Sequence, residues 1–543
     1  MGGTEDFDVI VIGAGFAGLY AVYKMRQTGR SVRAFEAGSG VGGTWYWNRY
    51  PGARCDVESM EYSFGFDPEL EQEWEWTERY STQPEILSYL EHVADRFDLR
   101  RDIQFDTRVT SAHYCDGPTD PNSGRWLIRT SDGEQWTAGA LVSAVGCLST
   151  ANTPDFEGLA DFRGDLYHTG RWPHQGVDFS GQRVAVIGTG SSAIQSIPLI
   201  AAEAAQLSVF QRTPNYSVPA WNGQMDPAIQ QEIKARYQEV RAANRDIFGA
   251  FGGSMREEGM ELPEAGALTP EQQQFVLEEF WKVGGLFFVG AFADITRNPD
   301  ANEIASEFVR QKIRTLVRDP DTAERLCPKD HAIGCKRPCV DTGYFETYNR
   351  ENVELIDVSE SGIERITSNS VVGGGREVEV DALVLATGFD AMTGSLNAID
   401  IRGRGGQKLK DKWSAGPITY LGLGASGFPN LFIVTGPGSP SVLTNMVVSI
   451  EQHVEFIADC LDYMASHGHR WIEPTAEAEV EWVAHVNDVA SEYVFPSCNS
   501  WYLGANVPGK PRVFMPHPGF PPYREKCEEV VAHGYEGFVF DAV

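Results

Sequence analysis

The first apolar run, D-V-I-V-I-G-A-G-F-A-G-L-Y-A-V from Asp8, changes its period at Gly13. β-Branched residues crowd the stretch before that glycine, and apolar residues at helical spacing follow it, which predicts a buried strand, a tight turn and a helix. R-V-A-V-I-G-T-G-S-S-A from Arg183 repeats the pattern. Two more strands, L-V-S-A-V-G at Leu141 and A-L-V-L-A-T-G-F-D at Ala382, end in small-residue turns and bracket the second repeat. They are expected to be crossings between two domains. From Asp226 to about Asp330 helical periodicity takes over: Ile229, Ile233, Tyr237 and Val240 fall on one face, behind an Asp226 cap and Pro227 at the first helical position. After Gly388 short strands return, as in N-L-F-I-V-T-G from Asn430, and then a long amphipathic segment around Ser449 to His467.

These elements predict an α/β fold with two Rossmann-like dinucleotide-binding domains and a helical insertion in the second. The expected boundaries are 1–150 for the first part of domain one and 151–225 for the first part of domain two. The insertion spans 226–332, domain two resumes over 333–388, and domain one is closed by 389–543.

Composition narrows the partners. A chain of 543 residues exceeds one ordinary core. With 45 basic against 76 acidic residues its net charge is -31, which disfavours nucleic acid and anionic membranes and leaves small molecules. A monomer or weak homo-oligomer is expected. Glu5, Asp6 and Asp8 precede the apolar run Val9 to Val22 and glycines interrupt it, so it does not read as an export signal. No other run approaches the ~18 apolar residues of a membrane span. Nine cysteines, scattered from Cys55 to Cys527 without a C-x-x-C, read as reduced thiols of a cytoplasmic protein. Cys335 and Cys339 lack a second ligand pair, so no metal is expected.

The glycine turns carry the chemistry. Gly13, Gly15 and Gly18 spell G-x-G-x-x-G, which brings backbone N–H groups and a helix N-terminus to a pyrophosphate. Glu36 follows Gly13 by 23 residues, where a carboxylate takes a ribose diol and repels a further phosphate. The first site therefore suits FAD or NAD. The second turn has Gly188, Gly190 and Ala193, and its strand ends in Arg212 and Thr213, a guanidinium and a hydroxyl suited to the 2'-phosphate of NADP. Hydride would pass from NADPH to flavin. A disulfide-reductase outlet needs two cysteines beside the flavin, and the region after the first fold has only Cys55, which leaves oxygen as the acceptor.

Phe162, Gly164, His168, Trp172 and Pro173 spell F-x-G-x-x-x-H-x-x-x-W-P, which resembles the fingerprint of type I Baeyer-Villiger monooxygenases. G-G-T-W-Y-W-N-R-Y-P-G-A-R-C-D, Gly42 to Asp56, is similar to the family's flavin-side motif. The resemblance runs from Asp8 to Phe540 and looks closest to the phenylacetone and steroid monooxygenase branch, through stretches such as S-W-Y-L-G-A-N-V-P-G-K-P-R-V-F-M. It implies that the fingerprint is conformational, coupling the two domains. It implies Arg337 as the catalytic cation and Asp56 as its partner. An anionic oxidant attacking a ketone demands a fixed cation that keeps its proton.

By the same resemblance FAD meets Gly13, Gly15, Phe16, Gly18, Glu36, Gly43, Thr44, Trp45, Asp56, Tyr62, Val109 and Met446. NADP meets Gly188, Thr189, Gly190, Ser191, Ser192, Gln195, Arg212, Thr213, Lys336, Arg337 and, on a mobile loop, Trp501. Ser441, Val442 and Leu443 fall in a bulge beside a roomy pocket, which implies bulky aryl, cyclic or steroid-like ketones, O2 as co-substrate, ester or lactone products, and sulfoxidation as a side activity. Pro518 departs from the branch, which usually has glycine there. Two rivals remain: an N-oxygenating flavin monooxygenase, and a non-catalytic flavoprotein that binds NADPH.

Overall fold

The computed structural model describes residues 5–117, 122–255 and 261–541. The first apolar run forms the strand Glu5–Ile12 at the centre of an eight-stranded sheet, parallel to Val32–Phe35 on one side and to Gln135–Ser143 on the other. An antiparallel meander, Val109–Cys115, Arg125–Thr130 and Gln135–Ser143, extends the sheet, and Asp400–Arg402 and Leu431–Ile433 join it from the distant C-terminal part. Buried on both faces, the central strand is almost wholly apolar from Val9 to Ile12, as parallel sheets covered by helices require.

The second repeat builds a separate five-stranded parallel sheet in the order Val353–Asp357, Gln206–Gln211, Arg183–Ile187, Ala382–Leu385, Asp165–His168. The chain crosses between the sheets twice, and the two crossings lie side by side. Ala151 and Phe389 form an antiparallel bridge, Asn152 N donates to Gly388 O at 2.9 Å, and Met392 N donates to Cys147 O at 2.7 Å.

The insertion is helical. Pro227–Ala235, Pro270–Val283, Pro299–Leu316 and Pro320–Leu326 each begin with proline, whose missing N–H is no loss in the first turn, behind a capping Asp226, Thr269, Asn298 or Asp319. One expectation needs correction. The helix from Pro227 stops at Ala235, and a second one, Tyr237–Arg245, begins beyond Arg236. That break changes the phase of the apolar stripe, so Ile233, Tyr237 and Val240 are buried while Ile229 is 52% exposed.

A buried polar knot fixes the insertion to the first fold. Arg241 donates to Glu71 at 2.9 Å and to Ser63 at 2.7 Å, and the Glu61 carboxylate accepts from Gly252 N and Ser254 N. Pairing offsets the cost of burying these charges. No helix among the described residues is long and apolar enough to cross a membrane.

Candidate functional site

One cavity of roughly 2090 Å³ runs between the two sheets and is lined by both glycine turns. Every residue named above for the two nucleotides lines it except Gly18, which lies behind the first turn.

At that first turn the backbone is packed to the limit. Gly13 has φ 105°, a left-handed conformation that glycine alone adopts at little cost, and a Cβ there would lie 2.5 Å from Ala144 O. A Cβ on Gly18 would lie 1.9 Å from Gly13 O, and one on Gly43 would lie 2.8 Å from the Gly15 Cα. The start of the helix Phe16–Gln27 is thus pressed against the loop at Gly42 and Gly43, and Gly13 to Ala17 line the cavity. Glu36 ends the strand Val32–Phe35 and accepts hydrogen bonds from Ala14 N and Gly38 N, both at 2.8 Å. Burial raises its pKa, and those two N–H groups oppose the rise. Trp45 Nε1 donates to the Tyr62 hydroxyl at 3.3 Å, and Phe16 packs edge-on to the Tyr62 ring.

The second turn shares the strained first glycine: Gly188 has φ 114°, and its Cβ would lie 2.5 Å from Ala386 O. Gly190 differs, with open space around its Cβ position. Thr189 donates to Thr213 O at 2.9 Å, joining the turn to the end of the neighbouring strand, where Arg212 is exposed. Lys336 faces the same end. Burial lowers its pKa and the Arg212 charge lowers it further, against the opposing pull of Asp330. Two cations that repel each other and line one cavity are a site for a multiply charged anion. Ser192 Oγ is 3.1 Å from Thr169 Oγ1, and Gln195 turns toward the first fold, accepting from the Tyr50 hydroxyl at 2.9 Å and donating to Arg54 O at 3.1 Å. Gly52 is required at this junction, because a Cβ would lie 2.3 Å from Gln195 O.

Between the turns lies Arg337. Its Nε and Nη2 donate to the two Asp56 carboxylate oxygens at 2.6 and 2.9 Å, and Nη1 donates to Val442 O at 2.8 Å. Burial alone would pull its pKa down, but Asp56 overcomes burial and holds the guanidinium above its ordinary value. A guanidinium has five N–H donors. Three are engaged here, so two are left for a bound molecule.

The fingerprint residues do not reach the cavity. His168 Nδ1 accepts from Gly170 N at 2.9 Å, while Nε2 is 3.2 Å from Asn152 O on the first crossing and 3.2 Å from the Thr387 hydroxyl on the second. Burial lowers its pKa, so the neutral ring joins the two crossings. Trp172 is buried against Tyr167 and Phe179, and Gly164 leaves room for Asp381 O and the Phe162 ring. Sequence patterning did not single out Asn152, Thr387, Arg54 or Asn506, because their contacts join distant segments.

Of the three bulge residues, Val442 lines the cavity, whereas Ser441 and Leu443 do not. Ser441 is fully buried with φ 43°, and its hydroxyl donates to Thr435 O at 3.3 Å. At the proline-rich departure, His517 N donates to Ser439 O at 2.8 Å, and Pro521 and Pro522 lie in the first turn of the helix Phe520–Ala532. A second correction concerns the thiols: Cys335 and Cys498 form a disulfide. They are 163 residues apart, so no local spacing signals the pair. No group of three or more metal-ligating side chains occurs among the described residues.

A cavity with a buried acid beside one glycine turn and two cations beside the other has room for two dinucleotides, and with FAD and NADPH as its cofactors the chain is a flavoprotein oxidoreductase. Similarity to known proteins narrows that class. The family model for pyridine nucleotide-disulphide oxidoreductases matches residues 10–250. A Baeyer-Villiger monooxygenase of Pseudooceanicola batsensis is 44% identical over 99% of this chain and 96% of its own length. A phenazine N-monooxygenase of Lysobacter antibioticus is 42% identical over 98% of this chain and 97% of its own. The structure of an oxidized steroid monooxygenase bound to NADP matches with a TM-score of 0.92 and 55% identity, over 98% of this chain and 99% of that one. The chain belongs to the Baeyer-Villiger monooxygenases and is an NADPH-dependent flavin monooxygenase.

Proposed function

We propose that the protein inserts one oxygen atom of O2 beside the carbonyl of bulky aryl, cyclic or steroid-like ketones, giving esters or lactones, with sulfoxidation as a side activity. The observation that carries this reading is the Arg337–Asp56 pair, with two guanidinium donors to spare, placed between two nucleotide turns in one large cavity. FAD, when bound, supplies the chemistry that activates oxygen. The chain's own residues do the rest. Asp56 and Val442 O fix the guanidinium from two sides, so its position is set before substrate arrives. Because arginine keeps its proton, its charge is available as negative charge develops on the ketone oxygen. Arg212 and Lys336 select the 2'-phosphate, and Trp501 with its loop covers the nicotinamide end and limits water. The preference for bulky ketones is supported by 55% identity to the steroid monooxygenase structure. An NADPH requirement fits a cytoplasmic setting.

The test is a ketone panel with NADPH and oxygen, with esters quantified beside NADPH consumption. Arg337→Ala should still permit flavin reduction but lose about 100- to 1000-fold in ester formation. Ester yield equal to that of the parent enzyme would refute the assignment. N-oxygenation is the second reading, favoured by the full-length similarity to a phenazine N-monooxygenase. Amine oxides formed from a parallel amine panel, with no esters from the ketones, would select it.

A further inference from the structure

The disulfide joins two segments that both bear on the cavity. Cys335 immediately precedes Lys336 and Arg337, while Cys498 begins the strap that carries Trp501 and lines the cavity as far as Arg512. The strap's other attachments are noncovalent: the Tyr502 ring is buried against Phe495 and Phe514, and two further residues bond to the crossings. Asn506 Nδ2 donates to Phe389 O at 2.7 Å and its carbonyl accepts from Asn152 Nδ2 at 3.0 Å, while Lys510 Nζ reaches Asp390 at 2.5 Å and Ala391 O at 2.6 Å. Hydrogen bonds of this kind open readily, whereas a covalent tether does not. With the disulfide formed, the Cys335 and Cys498 Cα atoms are held 6.3 Å apart, so the strap cannot leave the Lys336–Arg337 segment at its N-terminal end.

The two cysteines are unequal. Cys335 is fully buried, and Cys498 is half-buried and lines the cavity. A reagent diffusing through the cavity therefore meets Cys498 first.

We propose that Cys335 and Cys498 are a reversible thiol-disulfide site, oxidised by a hydroperoxide and reduced by a dithiol, whose oxidised form latches the strap over the nicotinamide nucleotide and slows its release. The inference rests on the reading of the strap as the cover of that nucleotide. In the oxidising direction the Cys498 thiolate attacks one peroxide oxygen and the O–O bond breaks, giving a sulfenic acid and, from hydrogen peroxide, one water. The Cys335 thiol then displaces the hydroxyl as a second water and the S–S bond forms, so two thiols lose two electrons and the peroxide gains them. Reduction reverses the redox change: a dithiol thiolate attacks Cys498 Sγ, Cys335 leaves as thiolate, and the dithiol closes to its own disulfide.

The holoenzyme itself tests this. It is treated with hydrogen peroxide or with dithiothreitol, freed of the reagent, denatured and alkylated, and the labels are mapped by mass. Seven alkylated cysteines are expected after peroxide and all nine after dithiothreitol, with the two additional labels on Cys335 and Cys498. Stopped-flow release of NADP+ should be about tenfold slower from the oxidised form. Cys335→Ser should release NADP+ at the faster rate under both treatments, and Cys498→Ser, at the less buried position, should do the same. Nine labels after peroxide, or equal release rates with the pair confirmed, would overturn the latch. Confirmed pairing in a holoenzyme that binds no NADP+ would overturn the cavity reading, and the latch with it.

Discussion

The two glycine turns begin alike and are finished differently. Each places its first glycine at positive φ against the carbonyl of an alanine, Ala144 in one fold and Ala386 in the other. Beyond that point the first turn is closed in: Gly15 faces Gly43, and Gly18 touches the Gly13 carbonyl. The second is left open, with free space at Gly190 and with Ala193 where the first has Gly18. Strand ends diverge too, one in a buried acid tied to its own turn and the other in an exposed arginine. Close packing suits a nucleotide that stays, and an open turn beside an exposed arginine suits one that comes and goes.

The largest test of that contrast is Gly18→Ala. Its methyl would overlap Gly13 O, at a cost of about 3 kcal/mol. The purified protein should be nearly colourless, and a normal flavin-to-protein ratio would show that the first turn is less tightly closed than its geometry implies. Next is Arg212→Ala. Losing a charged hydrogen bond to phosphate costs about 1.5–3 kcal/mol, so KM for NADPH should rise about 10- to 100-fold while KM for NADH changes little. Equal effects on both coenzymes would remove Arg212 from 2'-phosphate selection.

Acid should separate the folds as well. His453 accepts from Thr435 N in the helix Met446–His467 that packs on the first fold, and burial lowers its pKa to about 3. Burial and the neighbouring His485 lower His517 to about 4. Both stay neutral in the native state while the unfolded chain takes up protons near pH 6.5, so their stability contribution is intact above that pH and is lost as pH falls toward 4 and 3. Each should give a slope of about 1.4 kcal/mol per pH unit across that window. Urea midpoints measured from pH 7 to 5 should flatten in His453→Asn and His517→Asn. The smallest effect is expected of Gly190→Ala, whose backbone is extended and whose Cβ meets nothing. Its flavin content and Tm should match the parent's, and a loss of flavin would break the contrast.

Much of the fold could be read from sequence because strand, turn and helix succeed one another within thirty residues, where glycine spacing and apolar period act together. The insertion's helix starts carry the same local signature, a capping side chain and then proline, at Thr269, Asn298 and Asp319 as well as at Asp226. What could not be read is made by distant pairs. His168 meets Thr387 across 219 residues, Asn152 meets Asn506 across 354, and Cys335 meets Cys498 across 163, so no window of sequence contains both partners. Ser441 shows a further limit, since nothing in S-P-S-V-L announces that its backbone takes a left-handed turn and aims the hydroxyl inward.

The paired crossings have a mechanical consequence. A single connecting strand would be a leash, free to swivel in every direction. Two strands bonded edge to edge at Cys147, Thr150, Asn152, Gly388, Asp390 and Met392 make a flat ribbon, which bends easily across its thin dimension and resists shear in its plane. A hinge built this way confines rotation of one domain against the other to a single arc, as two pins confine a door.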